Sequence, residues 1–258
     1  MQIIHHNVKW DDLVKYKSWE IVKELLLPIP WLIISLAAYY HGYYLMALFC
    51  SFYFFLTSLR LSHNAFHYAL GLPKHVTDII MLLQSGLMLG SLHAIQYTHM
   101  RHHAHYLSDK DIEGRVAKQG FWEVILKSPF FPLLIHHCAC THAQRKKLLW
   151  IYAELGLNAA VIFGVFFVFD IFALKWHIIL MIAGHCLSAF FAVWSVHRGC
   201  NSPDFPARTL RGKLKNLLFY NMFFHFEHHL FPQVPTCHLP ILAQRIDKAG
   251  IRNYELVF

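Results

Sequence analysis

With 258 residues, 56% of them hydrophobic and only 15% charged, the chain is too apolar for a soluble domain, where roughly 25% of residues carry charge. Its net charge of +8 does not point to nucleic acid, because the Lys and Arg residues flank apolar runs and so read as orientation in a bilayer. Six cysteines without a CxxC pair exclude a disulfide framework. No linker, repeat or low-complexity tract divides residues 1–258, which read as one membrane-embedded domain.

The polar, acid-containing start, MQIIHHNVKWDDLVKYKSWE, is not a secretory signal peptide. Residues 10–24 mix apolar and charged side chains as an interfacial amphipathic helix does. Residues 25–40 and 43–61 form two apolar spans joined by His41-Gly42, a tight transmembrane hairpin. Residues 77–92 are apolar but short, which predicts a buried or interfacial helix. Residues 121–135 are broken by Lys127, Pro129 and Pro132, which predicts a segment lying on the membrane. Two further spans, 148–169 and 176–196, make a second hairpin, and the chain is polar from His197 onward. The expected fold is all-α, with four transmembrane helices in two hairpins and a histidine-rich helical cap. Of the 23 Lys and Arg residues only Lys175 falls in an outer loop. The positive-inside rule therefore puts the cap and both termini in the cytoplasm.

Histidine is the anomaly, with 21 residues in clusters. Three clusters stand at the cytoplasmic ends of spans: His63-Asn-Ala-Phe-His67, His99-Met-Arg-His102-His103 and His225-Phe-Glu-His228-His229. Helix residues i, i+3 and i+4 share a face, so each cluster aims its imidazoles at one place. His197, just after the last span, would make nine. Neutral imidazole suits Fe, Zn, Cu or Ni. Nine are too many for one tetrahedral zinc and suit two metals of higher coordination number with an open position.

The three clusters resemble the histidine boxes of the membrane fatty acid desaturases, hydroxylases and carotenoid ketolases. The resemblance runs from His63 to Leu239. Its most specific part is ARTLRGKLKNLLFYNMFFHFEHHLFPQVPTCHLP (207–240), with THMRHHAHYLSDKD (98–111) similar to the second box and the acidic turn after it. It implies a mushroom-like fold with two Fe2+ ions held by His63, His67, His99, His102, His103, His197, His225, His228 and His229. It also implies O2 as co-substrate and a double bond introduced into a fatty acyl or other lipid-like substrate. Hydroxylation or ketolation of a lipid or carotenoid is the alternative in the same family. The first box has three intervening residues, which leans toward the smaller hydroxylase, ketolase and acyl desaturase branches. Val193 stands four residues before His197, where stearoyl-CoA desaturases carry an Asn that helps hold a metal-bound water. Asn221, four before His225, is the candidate for that place, or else braces the helix.

Asp109, Asp111 and Glu113 follow the second box, and Glu227 lies within the third. They are candidates to accept the histidines' remaining N–H groups, or simply solvated turn residues. His105 and His93 flank the second box as supporting or surface residues. His136-His137-Cys138-Ala-Cys140-Thr-His142 fits no standard zinc spacing. His185, mid-span, reads as a hydrogen-bonded structural residue. Glu154 and Asn158 share a face of the third span and are either functional or snorkelling. No cytochrome b5, ferredoxin, flavin or nicotinamide signature is present, so electrons are expected from a separate donor. A ferredoxin or cytochrome b5 with its reductase, docking on the basic face, fits that expectation. Two readings of other classes are weaker. A histidine-rich metal transporter would place its ligands near the midplane. A non-catalytic regulator would not need complete boxes.

Overall fold

The computed structural model describes residues 8–106, 108–202, 205–251, 254, 256 and 257. The first seven residues of the polar start therefore lie outside the described residues, as do both chain ends. Among the described residues the fold is all-helical, with two isolated β-bridges, Ser202 to Phe205 and Thr209 to Leu256.

Helices α1 (Ser18–Leu26) and α2 (Ile29–Tyr40) run almost continuously through Pro28 and Pro30. Both prolines sit at the start of α2, where a missing N–H breaks no hydrogen bond. The expected interfacial helix at 10–24 is therefore shorter: residues 11–13 form a 3-10 turn, and regular helix begins at Ser18. Gly42, at φ +76°, makes the left-handed turn into α3 (Tyr44–Phe66). Helix α4 (Lys74–Met88) breaks at Leu89, and α5 (Leu92–His105) leaves at 112° to it. Short α6 (Ile112–Ala117) and α7 (Phe121–Lys127) follow, then α8 (Phe131–His142). Helix α9 (Arg145–Phe163) continues as a π-helical turn to Phe169. Helix α10 (Phe172–Ser188), a second π turn and α11 (Ser195–His197) form one continuous segment. The cap holds α12 (Lys213–Leu218), α13 (His225–Leu230) and α14 (Leu239–Lys248).

By length and composition five segments can cross a membrane: Ser18–Tyr40, Tyr44–Phe66, Phe121–His142, Arg145–Phe169 and Phe172–His197. This is one more than the four expected. The addition is Phe121–His142, read from sequence as lying on the membrane. Its prolines do not break it, because Pro129 and Pro132 stand in the first turns of a 3-10 helix and of α8. Large apolar side chains such as Leu45, Phe49, Leu149 and Phe167 remain exposed on these segments, as lipid-facing residues do.

The bend between α4 and α5 frees backbone groups inside the apolar layer, and buried polar side chains satisfy them. His177 Nε2 donates to Leu87 O at 2.8 Å, and His185 Nε2 donates to Met88 O at 2.9 Å. At the other side of the bend, Glu154 accepts from His93 N at 2.9 Å and from Ser91 Oγ at 2.6 Å. His136 Nε2 accepts from Ser91 N at 2.9 Å. His93 Nδ1 also meets Glu154, at 2.6 Å. Glu154, His136 and His185 thus hold the bend that aims α5 at the cap, and Asn158 sits beside it against Ser85.

A second buried polar knot ties the N-terminal helix to the cap. Arg60 pairs with Glu24 through both Nε, at 3.0 Å, and Nη2, and its Nη1 donates to Tyr220 O at 2.7 Å. Asn64 Oδ1 accepts from Thr236 N and Oγ1. Tyr220 and Asn221 are consecutive residues at φ 51° and 63°. This strained conformation persists where neighbours fix it, and the Arg60 and Trp31 bonds to Tyr220 do so. Nearby, Val8 and Leu13 pack with Phe226, Leu242 and Ile246, and Arg245 clamps the Asp12 carboxylate at 2.6 and 2.8 Å. The N-terminal segment and α14 therefore lie at the same end of the molecule.

Removing one partner of a buried ion pair leaves a bare charge and costs about 3–5 kcal/mol, whereas replacing both with apolar residues is often near neutral. Glu24→Leu and Arg60→Met should each lower the melting temperature in detergent sharply, and the double variant should recover most of the loss. Additive losses in the double variant would show that the pair is not the stabilising unit.

Candidate metal centre

Each histidine cluster sits on a helix end aimed at one point. His63 lies in the last turn of α3 and His67 follows as its C-cap. His99, His102 and His103 occupy the second half of α5. His197 ends the long α10–α11 segment. His225, His228 and His229 are on α13, all buried.

The nine rings converge as two groups. In one, Nε2 of His99 lies 3.0 Å from that of His67 and 3.2 Å from that of His103, and His103 lies 3.1 Å from His228. His63 stacks into this group, its ring 4.2 Å from that of His228. In the other, His197 lies 3.1 Å from His102 and 3.0 Å from His225, and His225 lies 3.2 Å from His229. Two sets, His63, His67, His99 and His228, and His102, His197 and His229, have ligand atoms all within 4.8 Å and can each hold a metal ion.

The chemistry of these nitrogens fits a cation. His102 Nδ1 meets both oxygens of Asp111 at 3.0 Å, and His197 Nδ1 meets Pro206 O at 2.7 Å. A carboxylate and a carbonyl only accept, so both Nδ1 atoms carry the proton and both Nε2 atoms are bare. Two bare acceptors 3.1 Å apart repel unless a cation lies between them. His99 Nδ1 likewise meets Glu113 at 3.3 Å. His63 Nε2 is buried with no hydrogen-bond partner. Imidazoles bound at about 2.0–2.1 Å on neighbouring octahedral positions of one metal lie about 3.0 Å apart, which is the spacing observed. Burial, followed by repulsion from neighbouring imidazoles, pushes His67, His225, His228 and His229 well below the usual imidazole range. They stay neutral, as metal ligands must.

Asp111 and Glu113 are the carboxylates that meet the histidines. Asp111 also caps α6 by accepting from Gly114 N at 2.7 Å. Burial pushes Glu113 up, but hydrogen bonds from His99 and Thr98 outweigh it and hold the group ionised. Asp109 is exposed, and its carbonyl accepts from Arg115. Glu227 turns to Thr209 and Arg211 rather than to a ring. Asn221 occupies the left-handed turn before α13, a conformation Asn tolerates. His105 is half-buried at the end of α5, outside both groups. His197's orienting partner, a backbone carbonyl, leaves no signal in a sequence pattern. Val193 faces the cavity described next.

A cavity of about 280 Å³ opens beneath the rings, lined by His63, His99, His102, His197 and His225 at its upper end. Its walls are a stripe of α3 from Leu48 to His63 and a facing stripe from Leu180 to His197. The fifteen helical steps from Leu48 to His63 make the α3 wall about 22 Å long. Leu48, Phe52, Leu187 and Phe191 line the cavity and are also exposed on the apolar surface, so it opens sideways between the two segments.

The depressed histidines set a pH dependence. The unfolded chain takes up protons near pH 6.5, whereas the folded sites do so only at lower pH. Stability is therefore complete above about pH 6.5 and is lost as pH falls below it, by up to about 1.4 kcal/mol per pH unit for each histidine. The melting temperature of chelator-treated protein should drop steeply between about pH 7.5 and about pH 5.5, and metal should raise it at both. A flat profile without metal would contradict the neutral, desolvated assignment.

No curated protein matches the chain. The profile of the family described as Fatty acid desaturase matches residues 39–257, which takes in both histidine groups and the cavity between α3 and α10. The chain belongs to the fatty acid desaturase family.

Proposed function

We propose that the protein is an O2-dependent, membrane-embedded di-iron desaturase that introduces a double bond into the hydrocarbon chain of a lipid. The observation that carries this reading is the joining of two converging histidine groups to a long apolar cavity that opens on the apolar surface. One ion would be held by His63, His67, His99, His103 and His228, and the other by His102, His197, His225 and His229. Iron bound there supplies redox chemistry with O2, which zinc does not. Asp111, Glu113 and the carbonyl of Pro206 hold the Nδ1 protons and fix the rings' tautomers. The cavity walls align an extended chain and exclude water from the carbon to be oxidised. The overall reaction removes two hydrogens from the lipid and reduces O2 to two waters, with two electrons from a separate donor and two protons.

The packing of residues 8–14 on α14 supports an even number of crossings between them. Four crossings satisfy this, with Phe121–His142 re-entering on the cap side. The concentration of Lys and Arg on that side supports a cytoplasmic cap and cytoplasmic termini.

The decisive experiment is metal analysis of purified protein, followed by incubation with O2, an electron-donor system and a lipid panel, read by mass spectrometry. About two irons per chain, one for each histidine group, and a product lighter by two hydrogens are expected. A gain of one oxygen would move the assignment to hydroxylase, and a gain of oxygen with loss of two hydrogens to ketolase. Stoichiometric zinc without iron, after iron-replete expression, would overturn it.

The cavity can be tested without touching a ligand. A Cβ at Gly184 would lie 2.6 Å from the Phe55 ring, and both residues line the cavity. Gly184→Ala should push that ring into the lumen and lower turnover of long chains more than of short ones, at unchanged metal content. Equal loss across chain lengths would detach the cavity from substrate binding.

A further inference from the structure

We infer that Asp78, His93 and Glu154 form a proton path that runs from the start of α4 to the wall of the apolar cavity and supplies protons the oxidation consumes; the inference rests on the proposed desaturase function. That reaction takes up protons as O2 is reduced, and most of the cavity wall is apolar. Asp78 lies in the first turns of α4, close to the exposed Lys74 and His75, and its side chain is 18% exposed. Its Oδ1 lies 3.3 Å from His93 Nε2. The other ring nitrogen, Nδ1, lies 2.6 Å from Glu154 Oε1. His93 and Glu154 are fully buried. Chains of acids and histidines inside an apolar layer are costly, and moving protons is one use that repays them.

Three observations set this triad apart from a brace of the bend. First, Glu154 serves the bend through Oε2 alone, which accepts from Ser91 Oγ and His93 N. Oε1 is left to the His93 ring, a contact the bend does not use. Second, both ring nitrogens face carboxylate oxygens. A neutral imidazole has one N–H to donate. One contact would therefore set two bare acceptors together unless the triad holds a further proton, on the ring or on a carboxyl. A ring so placed takes up a proton at Nε2 and releases one from Nδ1. Third, the two ends have different surroundings. Asp78 also accepts from Tyr68 Oη at 3.0 Å, and Tyr68 and Lys147 line a groove of about 320 Å³ separate from the apolar cavity. At the inner end Glu154 bonds the Ser91 hydroxyl, and His136, which accepts from the N–H of the same Ser91, lines the cavity beneath the histidine groups. The His93 ring is held in line by stacking on Trp150, with centroids 5.1 Å apart. Lys147, bonded to Gln96, is the cation whose charge both carboxylates feel. A proton taken up at Asp78 passes to His93 Nε2, the Nδ1 proton passes to Glu154, and Glu154 releases it past Ser91 toward the cavity. Only N–H and O–H bonds form and break, and no electron moves along the path.

Two conservative variants separate a path from a brace. In Glu154→Gln the amide oxygen keeps the bonds from Ser91 and His93 N while the path is cut, and Asp78→Asn cuts it at the exposed end. On full-length, iron-loaded protein in nanodiscs, with an electron-donor system and lipid substrate, both should keep the wild-type iron content, melting temperature and lipid KM. Each should lower kcat about tenfold and raise the solvent deuterium isotope effect on kcat. Imidazole added to the buffer should restore part of the rate in Asp78→Asn and none in Glu154→Gln. A second readout needs no metal. In metal-free protein labelled with nitrogen-15 at histidine, the His93 ring N–H is assigned by its loss in His93→Gln. It should exchange with D2O about tenfold more slowly in Asp78→Asn than in the wild type. Wild-type kcat and isotope effect in either iron-replete variant, or equal ring exchange rates, overturns the path. So does a fall in kcat that tracks lost iron at an unchanged isotope effect, which leaves the triad as a brace alone. Absence of product from the wild-type protein defeats the desaturase reading itself, a separate outcome.

Discussion

Imidazole Nε2 atoms held 3.0–3.2 Å apart are the constraint on which this molecule turns. Without a cation such an assembly repels itself, and without burial it would take up protons. The protein meets the first problem by fixing three of the rings, His99, His102 and His197, from behind. Asp111, Glu113 and the Pro206 carbonyl keep protons on Nδ1. It meets the second by desolvation, which holds His67, His103, His225, His228 and His229 well below the usual imidazole range. The same arrangement that destabilises the empty site favours an ion, because metal binding to a preformed set of neutral donors adds directly to folding free energy.

Holding four separate chain segments to that tolerance requires anchors outside the site. Each segment has a buried polar one. The end of α3 is tied through Arg60 and Asn64 to Glu24, Tyr220 and Thr236. The start of α5 is tied through Ser91 and the backbone of His93 to Glu154. The long α10–α11 segment is tied by His177 and His185 to the carbonyls at the end of α4. Helix α13 is tied by Glu227 to Thr209 and Arg211, an interaction that turns this carboxylate away from the rings. Breaking any one leaves a charge or a backbone group unsatisfied in an apolar layer, which is more costly than the bond's net worth. The converging histidines are therefore positioned by groups that lie outside their cluster.

Much of this was legible in the sequence, for identifiable reasons. The spans at 43–61, 148–169 and 176–196 are long apolar runs with charged flanks, and the helices follow them to within a few residues. The i, i+3, i+4 spacing announced three convergent clusters, because helix geometry makes that inference local. What was not legible depends on tertiary contact. Pro129 and Pro132 read as breaks, yet proline in a first turn is compatible with helix, and only the structure shows where the turns begin. His185 reads in the sequence as a hydrogen-bonded structural residue and Glu154 as functional or snorkelling, but the sequence names no partner for either. Their partners, Ser91 Oγ and the backbone N–H of His93 for Glu154 and the Met88 carbonyl for His185, lie at a bend more than 60 residues away in the chain, and no periodicity encodes that. The division of nine histidines into five and four also cuts across the boxes. His102 and His103 are adjacent in sequence but face different groups, because neighbouring helix positions point about 100° apart.

That division explains why the site sits where the apolar layer ends. The proposed reaction needs two reactants that do not share a solvent: a hydrocarbon chain and electrons carried by a soluble protein. His102, His197 and His225 border the apolar cavity, whereas His67 borders a separate groove. His63 and His99 line the cavity yet belong to the same group as His67. A centre built only inside the bundle would be closed to the donor, and one built only in the cap would be closed to the lipid. Adjacent histidines on α5 would serve both, since one turn of that helix reaches both histidine groups. The HxxHH spacing is then more than a dense set of ligands. It lets a single helical turn reach both histidine groups.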